Sequence, residues 1–299
     1  MHAAAGRLRG HGDDVRLEAT VSQGSGSVNE DGWGFTGNVE NVSAAWIFDG
    51  VTGINGRNYL PAGSDAAWLV ERAHRHLLQL ASPDIPLADL IERLVRALIE
   101  DWRGVAAGLD LPGDYDPPAA CLVLVKRYGV KWQAARLGDS CLLTRADDGA
   151  HSILAASPNN GFDHWLSGEA RKRRDAGVFD VKALLAEFRP QLLASRKSRN
   201  QPGGYGILEA NAAAAGFVEY IDLGNPGEML LCTDGYYRAV DHYEMHSDES
   251  LMEASSGANG VNQVLAALRA VETSDPSCEK YLRFKPADDA TAVMLRKLK

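Results

Sequence analysis

The stretch "SAAWIFDGVTG", residues 43–53, runs through mostly apolar residues and stops at an acid followed by a glycine. Taken alone, Asp-Gly is the commonest hairpin turn, because glycine tolerates positive φ and aspartate bonds its own backbone. The same arrangement recurs in "GEMLLCTDGYY", residues 227–237, where a second apolar run ends at Asp234-Gly235. Further acids stand at the ends of apolar runs elsewhere: Glu30 and Asp31 in "VNEDGWGF", Asp139 in "RLGDSCLL", and Asp288-Asp289 in "PADDATAVML".

Working outward, "VRLEATVS" (15–22) alternates as a strand, a glycine-rich loop follows, and "SAAWIF" reads as a buried second strand. From Ser64 to Ala81 the period changes to a helical stripe at 66, 67, 69, 70, 73, 77, 78 and 80, with Ser64 or Asp65 as N-cap. A second helix carries its stripe at 87, 90, 91, 94, 95, 98, 99 and 102. The proline-rich "DLPGDYDPP" (110–118) is a loop. Beyond it "AACLVLVK", "KWQAARLG", "SCLLTR" and "AHSILA" read as an antiparallel meander of short strands. Residues 161 to about 200 turn helical and basic, "GYGIL" and "GEMLLCT" return to strand, a helix covers roughly 248–272, and "TAVMLRKL" closes the chain as a strand. Hairpin-linked strands with helices in blocks predict an α+β domain, an antiparallel sheet covered by helices.

With 299 residues and 45% hydrophobic content the chain can bury a large core, and no linker or repeat divides it. A net charge of -9 argues against a nucleic-acid partner, whose footprint is basic. Cys121, Cys141, Cys232 and Cys278 show no C-x-x-C pairing and read as reduced thiols. The first 14 residues lack the apolar core of a signal peptide, and no stretch of 18 apolar residues follows. The expectation is a cytoplasmic protein without membrane attachment, its segment 1–14 disordered.

Acids at strand rims form an oxygen-only ligand set suited to hard cations such as Mg²⁺ or Mn²⁺. Two ions bridged by a carboxylate can deprotonate a water and orient a phosphoryl group for in-line attack. Other chemistries fit worse. No G-x-x-x-x-G-K-[ST] sequence is present, Ile47 stands where a D-x-D nucleophile would need an acid, and His242 and His246 have metal spacing without an evident third ligand.

In order along the chain, "NED" (29–31), "FDG" (48–50), "LGDS" (137–140), "CTDG" (232–235) and "DDAT" (288–291) resemble the signature blocks of the metal-dependent protein phosphatases of the phosphatase 2C type. The resemblance runs from about residue 15 across nearly the whole chain. It implies two packed antiparallel sheets flanked by helices, an α-β-β-α sandwich over 15–299, with a helical basic flap at about 161–204. It implies two Mn²⁺ or Mg²⁺ ions bridged by Asp49, with Gly50 giving a backbone carbonyl, Glu30 serving the second ion and Asp234 and Asp288 the first. Asp31 would hold metal-bound water. The implied substrate is phosphoserine or phosphothreonine in proteins; the partner kinase is not implied.

The chain departs from the family at substrate positions. Gly26 stands where an arginine holds phosphate, Val51 where many members have a histidine, Arg238 where an acid follows the "CTDG" aspartate, and Asp289 where asparagine is usual. Three arginines are candidates for the missing clamp: Arg238, favoured because a base in place of an acid beside a metal site calls for a counter-anion, then Arg57, and Arg199 in the flap. The segment 165–200 carries nine basic residues against four acids, which reads first as a solvated helix face; its place at the family's flap beside the active site suggests an attraction for phosphorylated substrates as well. Two alternatives to a protein phosphatase stay open: a non-catalytic module of the same fold, and a phosphatase for small esters.

Overall fold

Strand β3 (Asn41–Gly50) sorts its side chains by the period of two that every strand imposes. Ala44, Trp46 and Phe48 pack with the stripes of helices α1 (Asp65–Leu80) and α2 (Leu87–Ala106). Ala45 and Ile47, on the opposite face, join a separate apolar layer with Val123, Val125, Leu231, Val293 and Leu295. A strand with both faces apolar is a strand buried between two layers, and β3 is that strand.

The computed structural model describes residues 15–154, 160–177, 183 and 186–298; segment 1–14 and part of the basic segment 161–204 lie outside the described residues. One antiparallel sheet holds β2 (Gly32–Asn38), β3, β4 (Ala119–Tyr128), β5 (Lys131–Leu137) and β9 (Glu219–Gly224) in that order, with β8 (Leu208–Glu209) added to β4. The second runs β1 (Val15–Ser22), β11 (Ala290–Lys297), β10 (Glu228–Cys232), β6 (Cys141–Arg145), β7 (His151–Leu154). Helices α5 (Asp234–Asp241), α6 (Asp248–Ser256) and α7 (Gly260–Ser274) bury Tyr236, Leu251 and Leu268 against the outer face of this second sheet, on Leu230 and Met294. The layers are therefore helix, sheet, sheet, helix. In the basic segment, α3 (Asn160–Asp175) and α4 (Arg189–Lys197) carry a small apolar cluster of Leu166, Ala170, Phe188 and Leu192 that reaches Leu282 and Phe284.

Three local expectations change. The meander is split, since β4 and β5 lie in one sheet while β6 and β7 lie in the other. The crossing is made at Gly138, whose φ of +84° suits glycine and which lies against Cys121 where a Cβ would sit 2.4 Å from Sγ. The single helix over 248–272 is two, parted by Gly257 and by Asn259 in the left-handed region. Strand structure at "GYGIL" reaches only Leu208–Glu209.

Helix α5 starts directly against the connection into β11. A Cβ on Gly235 would stand 1.8 Å from the Asp289 carbonyl oxygen, so this approach is open to glycine alone. Gly235→Ala should push α5 off β11 and lower unfolding free energy by about 1 to 3 kcal/mol, measured by urea denaturation. An unchanged midpoint would mean the contact is soft.

Candidate active site

Parity along β3 decides where its terminal acid points. Ala45 and Ile47 face the space between the sheets, and Asp49 continues that row at its open end. Its partner across the strands is Cys121, whose thiol donates to Asp139 Oδ1 at 3.0 Å. Asp139 arrives on the turn by which the chain changes sheets. Asp234 arrives on the first turn of α5, where the amide ends of a helix favour an acid. It keeps 45% of its side-chain surface open to solvent, so the acids line a cleft rather than a sealed core.

Hydrogen bonds across the rim hold the remaining acids. Thr233 Oγ1 donates to Asp31 Oδ2 at 2.9 Å and accepts from Thr291 N at 3.0 Å, which joins the loop before β2 to the β10–β11 pair. Asp289 accepts from Gly24 N at 2.7 Å through one oxygen and from Glu30 N at 2.8 Å through the other. Glu30 is buried; Gly50 N donates to its carbonyl at 3.1 Å, and Thr52 Oγ1 donates to its Oε2 at 2.6 Å. Asp288 is bound by Arg238 Nη2 at 2.5 Å and by Lys285 Nζ.

Burial is the largest influence on these carboxyls, and their mutual repulsion adds to it. Asp31 is pushed up to about 8 by burial, with Asp234 and Asp289 adding and the Thr233 hydroxyl opposing. Asp49 is raised well above the carboxylate range by burial and then by Asp234, Asp31, Asp139 and Asp288. Asp234 rises to about 6 through burial and Asp288, against the pull of Arg238. Asp31, Asp49, Asp139, Asp234 and Asp288 are therefore one electrostatic unit, assembled from five separate parts of the chain.

The three candidate arginines are placed differently. Arg238 lies at this rim, on Asp288 and 4.0 Å from Asp234. Arg199 is buried away from the acids, donating to Asp116 Oδ1 and the Pro117 carbonyl. Arg57 is exposed, stacked over Tyr59 at 4.5 Å, and makes no ion pair among the described residues. His242 packs on the rings of Tyr243 and Tyr281, and His246 meets Ser250. No motif in the sequence singles out Thr233, Thr52 or Lys285. Thr233 stands directly before Asp234 and Lys285 three residues before Asp288, but only the folded rim shows what they touch.

Among the described residues no group of three or more Asp, Glu, His or Cys side chains is gathered closely enough to enclose a metal ion. The donor chemistry nevertheless fits a hard divalent cation. The set is all oxygen, and three of its acids are driven toward the protonated form by burial and crowding that a cation would relieve.

Two antiparallel sheets packed between helix layers, with acids at one end of the sandwich, define a phosphatase-type α-β-β-α fold. A family model described as Protein phosphatase 2C matches residues 20–270, and the chain belongs to that family. In structure it is similar to the Mycobacterium tuberculosis serine/threonine phosphatase PstP/Ppp, with 15% identity over 96% of this chain and 100% of that one and a TM-score of 0.57. Stp1 from Staphylococcus aureus matches at 13% identity, 99% and 100% coverage and a TM-score of 0.56. The catalytic domain of PstP in complex with two manganese ions matches at 16% identity, 96% and 99% coverage and 0.54. At such identities the likeness is one of fold. No curated protein matches the sequence.

The raised acids have a consequence for stability. Without ions, folded Asp31 keeps its proton to about pH 8, whereas the unfolded chain releases it near 3.8. Between those values the folded state binds the extra proton, so its stability falls as pH rises. In chelator, Tm is expected to drop between pH 5 and pH 8, and to drop less in Asp31→Asn. Equal slopes in the two proteins would overturn the assignment.

Proposed function

We propose that the chain is a metal-dependent phosphohydrolase that removes phosphate from phosphoserine and phosphothreonine in proteins. The observation that carries this reading is the gathering of Asp31, Asp49, Asp139, Asp234 and Asp288 at one solvent-open rim. Family membership supports the reaction class. Glu30, Asp49 and the Gly50 carbonyl would hold one Mn²⁺ or Mg²⁺, and Asp49, Asp234 and Asp288 a second. Such ions supply neutralisation of phosphoryl charge and a more acidic water.

The chain's own groups do the rest. Asp49 is held at a strand end in the two-sheet core, which fixes its position more tightly than a loop could. Thr233 orients the Asp31 carboxyl, which would hold the attacking water by a hydrogen bond. With Val51 in place of a histidine, solvent protonates the leaving alkoxide. Exposed Arg57 has its guanidinium uncommitted to any carboxylate among the described residues and is suited to grip the phosphate dianion bidentately.

A second reading, a non-catalytic phosphatase-like module, is favoured by one observation: Asp288 is already engaged by Arg238 and Lys285. Hydrolysis of p-nitrophenyl phosphate separates the two. The enzyme reading expects activity with Mn²⁺, none in chelator, and none in a folded Asp49→Asn protein. Arg57→Ala is expected to raise KM for a phosphopeptide about tenfold or more, the loss of one charge-assisted contact. Absence of Mn²⁺-dependent turnover on any phosphoester would favour the module.

A further inference from the structure

The two halves of the acid rim are unequal in a way that the family pattern does not anticipate. At the Glu30–Asp49 half, Glu30 Oε2 receives only the Thr52 hydroxyl, and neither acid has an ion pair among the described residues. At the Asp234–Asp288 half, both oxygens of Asp288 are taken. Arg238 Nη2 meets Oδ2 at 2.5 Å, while Oδ1 receives Lys285 Nζ together with the Asp289 backbone N–H at 2.9 Å. The same guanidinium nitrogen stands 4.0 Å from Asp234 Oδ2, so it lies between the two acids of that half.

Neither cation is there by accident of a loose surface. Arg238 follows Asp234 by four residues on α5, the spacing at which helix side chains meet. Lys285 precedes Asp288 by three residues on a pinned connection. Buried Arg283 donates to Asp275 Oδ2 at 2.6 Å and to the Pro286 carbonyl at 2.9 Å, and Asp275 accepts from the backbone of Glu279, Lys280 and Tyr281. Arg238 nonetheless leaves Nη1 without a hydrogen-bond partner among the described residues. Its pairing is therefore electrostatic rather than complete, and a stronger cation can displace it.

We propose that Arg238 and Lys285 are an internal counter-cation for Asp288, so that the chain binds divalent ions unequally, tightly at the Glu30–Asp49 half and at least about tenfold more weakly at the Asp234–Asp288 half. The inference rests on the reading of these acids as ion ligands. A tethered cation is never diluted away, and an arriving ion must displace it or share Asp288 with it. Without ions, the same pair offsets part of the repulsion among the five aspartates. The second ion is then an occupant that depends on concentration, while the first is resident.

The test is Mn²⁺ binding followed by calorimetry and by the EPR signal of free Mn²⁺, on wild type, Lys285→Ala, and Arg238→Ala/Lys285→Ala. Wild type should show a tight step and a second step at least about tenfold weaker. The double variant should tighten the second step by about tenfold or more while the first moves little. Lys285→Ala, whose side chain is 39% exposed and so tolerates truncation, should move the second step in the same direction by less. In chelator the double variant should melt below wild type and gain more Tm on adding Mn²⁺. Two equal steps in wild type, or a second step unmoved in both variants, would overturn the inference and leave the metal-dependent reading standing. If wild type and variants take up no Mn²⁺ at millimolar concentration, both readings fall.

Discussion

Like charges brought together in a confined rim govern this molecule. Asp49 is pressed by Asp31, Asp139, Asp234 and Asp288, and burial weighs on its charged form more than any of them. A folded chain must either protonate such a group, pair it, or bind a cation. The first two are visible among the described residues, and the donor chemistry suits the third. Asp31 and Asp49 are shifted toward the protonated form, Asp288 is paired with Arg238 and Lys285, and the remaining oxygens form a hard donor set.

Such crowding is sustained because the scaffold beneath it is rigid. The layer between the sheets is built from Val42, Ile47, Val123, Leu142, Leu231 and Val293, and the outer faces are closed by separate clusters under α1–α2 and α5–α7. Burial of that much apolar surface stabilises the fold by far more than a few crowded carboxylates cost. Ties across the rim then set distances within it: Thr233 to Asp31, Asp289 to Gly24 and Glu30, Thr52 to Glu30. Asp289 accepts two backbone N–H groups with its two oxygens and is thereby a strut between loops.

The departures concentrate where phosphate would be handled. By the family resemblance read in the sequence, Gly26 and Val51 stand where a cation and an imidazole are expected, and Arg238 where an acid is expected. Arg199, though in the basic segment, is committed to Asp116 and Pro117, and Arg196 is likewise paired with Asp116 and with the Thr52 carbonyl. Positive charge in sequence is thus not free charge in space, and of Arg57, Arg199 and Arg238 it is Arg57 whose guanidinium stays clear of a carboxylate among the described residues.

Periodicity carried most of the architecture. The strands at 15–22, 41–50, 119–128 and 290–297 and the helices at 65–80 and 87–106 are long and strongly patterned, and each lies where its period places it. Strands β2 and β9, rich in glycine or half-exposed, were not legible, because their pattern is weak where neighbours rather than burial hold them. The acids at strand ends could likewise be named from sequence, since apolar runs that stop at a carboxylate are a local signal. What only the tertiary structure decided is which of those acids meet which cations. Asp288 and Arg238 are 50 residues apart, and the crossing at Gly138 that sends β6 into the other sheet brings Asp139 to the same rim. A contact between distant segments depends on sheet order and on the turn that sets it, and local pattern encodes neither.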